Sequence, residues 1–279
     1  MIASLDEVFD FAKEQYKQAK EGADKIVFPV EKYSREFSMS EGKERGGVTI
    51  NASGHSITDL PQYDILKNAT GLSAWAAILN VDLRYSSQIA MEYGAEKTFL
   101  LMHTYLPTMA FLVEKGGGNT VGLRGDGLFA AYGVTELDGE KEVVDGQAAA
   151  KAVQEATDSG KAMIEAVEDV LSAVLKDERL GDLKIGVGVD VGSVVITRIG
   201  LKSASEVTAY GPTVNRACKK LAAKAVNKIH VSQAAERMFP QSKGGKVKFT
   251  KFDGYFEMHY PSDVRMLDGE SDRRSGSRR

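Results

Sequence analysis

Two acidic residues lie where extended segments of the chain end or turn. Asp82 closes an apolar run that begins at Ile78, and such a run is typical of a buried strand. Asp126 has apolar residues on either side, and the pair Asp126-Gly127 is a strong signal for a tight β-hairpin turn. If these two strands lie side by side, both carboxylates meet near one edge of a sheet.

The chemistry of these two carboxylates favours a hard divalent cation. No Cys or His lies near either residue, and a single cysteine, Cys218, excludes an internal disulfide and a Cys-based zinc site. Carboxylate oxygens suit Mg²⁺ or Mn²⁺. A pair of such ions commonly handles a nucleoside triphosphate, because one ion activates a hydroxyl while the other neutralises the phosphates.

Composition narrows the class of protein. The chain has 279 residues, of which 43% are hydrophobic and 27% charged, and this fits one generous domain or one domain with an N-terminal addition. A net charge of -3 implies no strong attraction to nucleic acid. The uncharged run 98–113 contains His103 and Pro107 and falls short of the roughly 18 apolar residues of a membrane span. Since Asp6 and Glu7 come too early for a signal peptide, we expect a cytoplasmic protein without a membrane partner.

The order of the elements predicts an α+β fold with an antiparallel-dominated sheet and helices on one face. A capping box over residues 4–7 predicts the first helix, and residues 24–70 indicate short strands and loops with His55 on the surface. The sequence then predicts the following elements: a strand over 72–83, a helix over 88–114 broken or kinked at Pro107, strands over 120–125 and 127–133, a helix over 147–176, a hairpin of 183–189 and 193–199, a helix from 211–213, a strand over 228–231, a helix over 233–238, and closing strands over 247–249 and 256–259.

Four segments in order resemble one known family. Asp82-Leu83-Arg84 followed by Gly125-Asp126 resembles the two metal-binding segments of class III nucleotidyl cyclases. Residues 188–200 resemble the central hairpin of that family, and residues 210–217 resemble the start of its catalytic helix. The resemblance implies a ferredoxin-like class III cyclase catalytic core that acts as a head-to-tail homodimer. It divides the chain into an N-terminal helix with short strands and loops (1–70), the catalytic domain (71–262) and a disordered basic tail (263–279).

The resemblance also implies a catalytic site. Asp82, Asp126 and the backbone carbonyl of Leu83 would hold two Mn²⁺ or Mg²⁺ ions, and backbone N–H groups of residues 84–87 would face the triphosphate. Asn215 would orient the ribose. The family's catalytic arginine, four residues later, is Lys219 here, which supplies the charge but not the planar fork of a guanidinium.

Several alternatives stay open at these positions. Lys219 carries out the catalytic role, or Arg216 or Lys220 does so from an adjacent face, or the domain is inactive. Asp82 is alternatively a cap for the helix that starts near Ser86. A triphosphate-binding cation from the end of the chain is not identified by the sequence, and Lys251 is one candidate.

The base-reading positions depart from the purine cyclases. Their usual lysine, four residues before Asp126, is Gly122 here, and the second base reader is Thr208. Tyr85 replaces the usual glycine after the first metal segment and would shrink the pocket, while Arg124 is placed to meet a base carbonyl.

With a smaller pocket and without the lysine, the sequence resembles the pyrimidine cyclases of bacterial Pycsar antiphage systems, which make cyclic CMP or cyclic UMP. The resemblance implies conversion of UTP to 3′,5′-cyclic UMP and pyrophosphate, with a downstream effector that senses the product. Cytidylate cyclase, adenylate cyclase and an inactive nucleotide-binding domain are the alternatives. An RNA-binding ferredoxin-like domain is disfavoured, because there is no aromatic RNA-binding pattern and the net charge is negative.

Overall fold

The computed structural model describes residues 1–26, 56–57, 66–67, 70–137, 144–201, 204–240 and 246–268. His55 and the predicted tail beyond residue 268 lie outside these ranges. The helices are α1 (Leu5–Ala23), α2 (Ser86–Lys115), α3 (Gly146–Glu165), α4 (Ser172–Val174), α5 (Pro212–Asn215) and α6 (Gln233–Met238). The strands are β1 (Ala3–Ser4), β2 (Gly71–Leu83), β3 (Asn119–Arg124), β4 (Gly127–Glu136), β5 (Ile185–Leu201), β6 (Ala204–Tyr210), β7 (Lys228–Val231), β8 (Lys248–Phe252), β9 (Tyr255–His259) and β10 (Leu267–Asp268).

Segments of π-helix and 3-10 helix extend two of these helices. A π-helical segment, Ala166–Leu171, joins α3 to α4, so the predicted helix over 147–176 is helical but not uniformly α. After α5, the π-helical segment Arg216–Leu221 and the 3-10 turn Ala222–Lys224 continue the chain as one helical piece, which we call the 212–224 segment.

Within the described residues, eight strands form one sheet in the order β3-β4-β2-β5-β7-β9-β8, and β6 pairs with β5. Every pairing in this sheet is antiparallel except that of β5 with β7. This confirms the predicted α+β class with a mostly antiparallel sheet. A separate parallel pair, β1 with β10, joins the two ends of the described chain.

Strand β2 is buried on both faces, and its alternation sorts the core into two clusters. Leu79 and Val81 face a large cluster with Tyr105 and Met109 of α2 and buried residues of α1 and α3. The intervening side chains, Ala74, Ala76 and Ile78, face a second cluster that includes Val194, Ile196, Val214 and Ala217. Since successive side chains of a strand point to opposite faces, Asn80 and Asp82 project on the side of the second cluster, where the 212–224 segment packs.

The predicted hairpin of 183–189 and 193–199 is wrong. The chain runs straight through as β5, which pairs with β2 from Gly71↔Thr197 to Leu83↔Ile185. The true hairpin joins β5 to β6. Glycine within β5 marks a position of close approach, because a Cβ on Gly188 would lie 2.3 Å from the carbonyl oxygen of Ala217. The 212–224 segment therefore lies directly against this part of β5.

Smaller corrections concern a kink and a turn. Helix α2 continues past Pro107, and the non-helical residue within it is Gly94, with φ 78° and ψ −178°. The hairpin turn consists of Gly125 and Asp126 rather than Asp126 and Gly127, because Arg124 pairs with Gly127.

The first helix and the end of the described chain belong to the same packed unit. Val8 and Ala12 of α1 lie in the large core cluster. Residues 263–268, predicted to begin a disordered tail, are ordered, since the buried carboxylate of Glu165 accepts backbone N–H bonds from Met266 and Leu267 at 3.0 and 2.8 Å. Among the described helices, none is both long and apolar enough to cross a bilayer.

Candidate active site

The sheet brings the two predicted metal-binding segments together. Asp82, at the end of β2, pairs in register with Gly127, the first residue of β4. The backbone N–H of Leu83 donates to the carbonyl oxygen of Asp126 at 3.3 Å. Asp82 and Asp126 therefore lie on adjacent strand ends although 44 positions separate them in the sequence.

The donors at this position fit a hard divalent cation. A Cβ on Gly127 would lie 3.2 Å from Oδ1 of Asp82, so glycine leaves room beside that carboxylate. Within the described residues, no group of three or more His, Cys, Asp or Glu side chains could hold a metal ion. Asp82, Asp126 and the carbonyl of Leu83 would thus be completed by water and substrate oxygens, which is the usual way in which proteins bind Mg²⁺.

The sequence assigned no role to the side chain of Arg84. Its guanidinium forms an ion pair with Oδ2 of Asp82 and donates to the carbonyl oxygen of Ala223 at 2.8 Å. One side chain therefore joins the end of β2 to the end of the 212–224 segment. Because Arg84 neutralises Asp82, a divalent cation has to compete with the guanidinium for this carboxylate.

The helix that follows Asp82 starts in an unusual way. Tyr85 is the N-cap of α2, has φ 61° and ψ 21°, and makes no side-chain capping bond. Asp82 is therefore not the cap of this helix. The backbone N–H of Arg84 is bonded to the carbonyl oxygen of Lys184 at 2.7 Å, so of the predicted phosphate-facing groups 84–87 this one is already used.

The cationic residues near the catalytic-helix motif separate into two kinds. Asn215 and Lys219 are exposed on the 212–224 segment, and Lys220 is exposed beside them. Arg216 instead donates from Nε to Oδ2 of the fully buried Asp190 at 2.6 Å. Since a buried carboxylate needs its counter-ion, this ion pair gives Arg216 a structural partner and argues against it as the alternative catalytic cation.

Two of the predicted base-binding residues are in direct contact. Arg124 donates from Nη2 to Oγ1 of the buried Thr208 at 3.1 Å. The guanidinium carbon of Arg124 also lies 5.1 Å from the ring centre of Phe129 and 5.7 Å from that of Tyr210. Tyr85 is 62% exposed, and within the described chain it has no hydrogen bond or ring contact with Arg124 or Thr208.

Other polar groups near these strands were not singled out from the sequence. The thiol of Cys218 donates to Oδ1 of Asn80 at 3.1 Å, and burial raises the pKa of this thiol to about 11. The hydroxyl of Tyr105 is fully buried, and burial together with the negative charge of Asp126 raises the pKa of Tyr105 far above its usual value. Both are neutral groups at physiological pH. A polar residue within an apolar strand or helix pattern was the available signal for Asn80 and Tyr105.

Comparisons with known proteins agree on one kind of domain. The model of the adenylate and guanylate cyclase catalytic domain family matches residues 73–259. No curated protein sequence matches the chain.

Solved structures resemble the fold at low sequence identity. The adenylyl cyclase CyaB from P. aeruginosa is 18% identical, with a TM-score of 0.54, over 72% of this chain and 100% of that one. The guanylyl cyclase Cya2 is 18% identical, with a TM-score of 0.53, over 71% of this chain and 100% of that one. A class III adenylyl cyclase-like ATP-binding protein from Pseudomonas aeruginosa is 20% identical, with a TM-score of 0.54, over 68% of this chain and 41% of that one.

Proposed function

The chain belongs to the adenylate and guanylate cyclase catalytic domain family, and from this premise we propose that it cyclises a pyrimidine nucleotide, converting UTP to 3′,5′-cyclic UMP and pyrophosphate. The resemblance to Pycsar cyclases extends the proposal to second-messenger synthesis in antiphage defence, with a downstream effector that senses the product. The observation that carries the proposal is the hydrogen bond between Arg124 and Thr208 beside a position, Gly122, that lacks the lysine of purine cyclases.

The reaction joins the ribose 3′-oxygen to the α-phosphorus and expels pyrophosphate. Asp82, Asp126 and the carbonyl of Leu83 would hold two Mn²⁺ or Mg²⁺ ions, which when bound would activate the hydroxyl and neutralise the phosphate charge. Asn215 would orient the ribose, and Lys219 would stabilise the negative charge that develops on the phosphate oxygens. The exposure of Asn215 and Lys219 supports these roles, because both side chains are accessible to a bound nucleotide.

The base would be read by hydrogen-bond donors. A guanidinium carries five N–H groups, and one nitrogen of Arg124 is bonded to Thr208, which leaves other donors for a base carbonyl. Uracil offers two carbonyl acceptors and one N–H, so Arg124, Thr208 and Tyr85 suit it better than cytosine. A purine would lack the cation that its usual site provides at position 122, and the loss of such a polar contact weakens discrimination in its favour by orders of magnitude.

Each active site would be shared between two copies of the chain. One copy would supply Asp82 and Asp126 and the other Asn215 and Lys219. Because every chain carries both sets, a symmetric homodimer would have two sites.

A substrate profile tests the proposal. Purified protein with Mn²⁺ is incubated with each of the four ribonucleoside triphosphates, and cyclic products are identified by mass spectrometry. We expect cyclic UMP as the main product and none from the Asp126→Asn variant. Cyclic AMP as the sole product would refute the pyrimidine assignment.

A second candidate is a nucleotide-binding domain that does not cyclise. The ion pair between Arg84 and Asp82 and the lysine at position 219 favour it. Metal-dependent release of pyrophosphate from any nucleoside triphosphate would dismiss this candidate.

A further inference from the structure

Gly122 and Phe129 form a close contact between two paired strands. Gly122 of β3 pairs in register with Phe129 of β4, next to a bulge in β3. A Cβ on Gly122 would lie 2.7 Å from Cε1 of the Phe129 ring and 3.3 Å from Cζ. Carbon atoms do not approach to 2.7 Å, so the ring occupies the volume in which any side chain at position 122 would begin.

The same ring lies beneath the guanidinium of Arg124. The guanidinium carbon is 5.1 Å from the ring centre, within the range of a cation–π contact. Tyr210 lies on the same cation at 5.7 Å, and Thr208 accepts its hydrogen bond. Three residues on two other strands therefore contact one exposed arginine side chain, and of the two that carry rings only Phe129 is buried.

From these contacts we infer that Phe129 determines base specificity. Its ring fills the space beside Gly122, where the lysine of a purine cyclase would begin, and it contacts the guanidinium of Arg124. A base would then meet this arginine instead of a lysine, which would favour a one-ring base. The inference rests on the proposed function, and it names Phe129 as a positioning residue that acts through Gly122 and Arg124.

A purely structural role predicts something different. Phe129 is 1% exposed and belongs to the second core cluster with Ile78 and Ala131. If the ring only filled the core, its replacement would lower stability and leave the choice of base unchanged. The two roles are therefore separated by the ratio of affinities for two nucleotides, which a uniform loss of stability does not alter.

The test uses four variants: Phe129→Leu, Gly122→Lys, the double variant with both changes, and Leu128→Val as the control. Leucine keeps an apolar side chain at 129 but removes the ring atoms nearest Gly122. Leu128 is the buried neighbour that faces the large core cluster instead, so Leu128→Val loses core volume away from the pocket. Affinities for UTP and ATP are measured by displacement of a fluorescent UTP analogue in the presence of Mn²⁺, and Tm by thermal unfolding.

We expect Phe129→Leu to raise the affinity for ATP relative to UTP by about tenfold or more, since Phe129→Leu removes three carbon atoms and even a single methylene in a pocket has effects of this order. Gly122→Lys alone should lower Tm by about 3 °C or more through overpacking and should not gain ATP binding. In the double variant the lysine has room, so ATP binding should rise further and the Tm loss attributable to lysine should shrink. Leu128→Val should leave the affinity ratio unchanged.

Two results would overturn the inference. One is an unchanged affinity ratio in folded Phe129→Leu, and the other is a switch to ATP caused by Gly122→Lys alone. A wild-type protein that prefers ATP would instead refute the proposed pyrimidine substrate. In that case the Tm values of the single and double variants would still show whether the side chains at positions 122 and 129 clash.

Discussion

Tyr85 combines a strained backbone with an exposed side chain. Its φ of 61° lies in the left-handed region, which costs a non-glycine residue on the order of 1 kcal/mol or more. A left-handed backbone is a conformation that suits glycine, the residue that the resemblance to class III cyclases implies at this position. Because the ring is 62% exposed, core packing does not compensate for this strain. A function for the ring beside the nucleotide is consistent with the retention of tyrosine.

Replacing Tyr85 with glycine and with alanine separates strain from function. Both variants lose the ring, so both should bind UTP more weakly and discriminate less against purines. Only glycine relieves the backbone strain, so Tyr85→Gly should be more stable than Tyr85→Ala by about 1 kcal/mol. Chemical denaturation measures the difference. Equal stabilities would show that the left-handed conformation is not strained in solution.

Arg84 and Arg216 illustrate how alike residues acquire different roles. Both arginines pair with an aspartate, but Asp190 is fully buried beneath the 212–224 segment whereas Asp82 is partly exposed at a strand end. The Arg216–Asp190 pair holds the 212–224 segment against the sheet, because an uncompensated buried charge costs several kcal/mol. The Arg84–Asp82 pair is partly exposed, so under the proposed function a metal ion and a triphosphate would be able to rearrange it.

At the scale of elements, the close packing of the 212–224 segment on β5 determines the positions of Asn215 and Lys219. The residues under this segment are Gly186 and Gly188, and backbone atoms of the segment occupy the places of their missing side chains. The segment includes a π-helical stretch, a feature often found at functional sites. A side chain on either glycine would lift the segment away from the sheet.

The substitution Gly188→Ala tests this close packing. A Cβ there would meet the carbonyl oxygen of Ala217 at 2.3 Å and the backbone nitrogen of Ala222 at 2.5 Å, and neither atom can move without the helix. We expect a loss of about 2 kcal/mol or more in unfolding free energy, with cyclase activity reduced at least tenfold in the folded fraction. Gly146→Ala is the matched control, because nothing lies within 4 Å of a Cβ at that position. Its stability should be unchanged or slightly higher. Similar unfolding free energies and activities of the two variants would contradict the close packing of the segment on Gly188.

On the scale of the whole molecule, helix α1 and the end of the described chain pack on the catalytic core. Phe11 of α1 stacks on Phe111 of α2 at 4.4 Å, and Lys115 forms an ion pair with Glu7 at 2.6 Å. The matched family region, 73–259, therefore has an N-terminal helix and a C-terminal strand added to its helix-covered face. The opposite face carries Asp82, Asn215 and Lys219, so helix α1 and strand β10 lie on the other side of the sheet from these residues.

Mixing two inactive variants tests whether sites are shared between copies. Asp82→Ala and Asn215→Ala should each be inactive alone. A heterodimer of the two would contain one site with both defects and one site with none, so random pairing should restore about a quarter of wild-type activity. The measurement is cyclic nucleotide formation after mixing, with dimer formation checked by light scattering. Folded, dimeric variants that show no rescue would argue against a shared site.

Local sequence patterns were sufficient for most elements and for the pairing of the two aspartates. The apolar run that ends at Asp82 and the glycine-flanked Asp126 predict two strands, because hydrophobic runs and turn chemistry are properties of neighbouring residues. The ordered motifs also predicted the cyclase family. By contrast, the same local logic placed a hairpin turn between residues 189 and 193, inside β5. It gave no role to the glycines of this strand, and it could not distinguish Arg216 from Lys219.

Only the tertiary structure decided what those glycines and arginines do. Gly188 leaves room for the backbone of Ala217, 29 positions away in sequence, and Gly122 leaves room for the ring of Phe129 on the paired strand. In both cases a neighbour that is distant in sequence explains the glycine. Arg84 and Arg216 differ because one aspartate is buried and the other is not, and burial depends on the packed chain. Motif and period are encoded locally, whereas close approach and the pairing of charges arise from contacts between residues far apart in sequence.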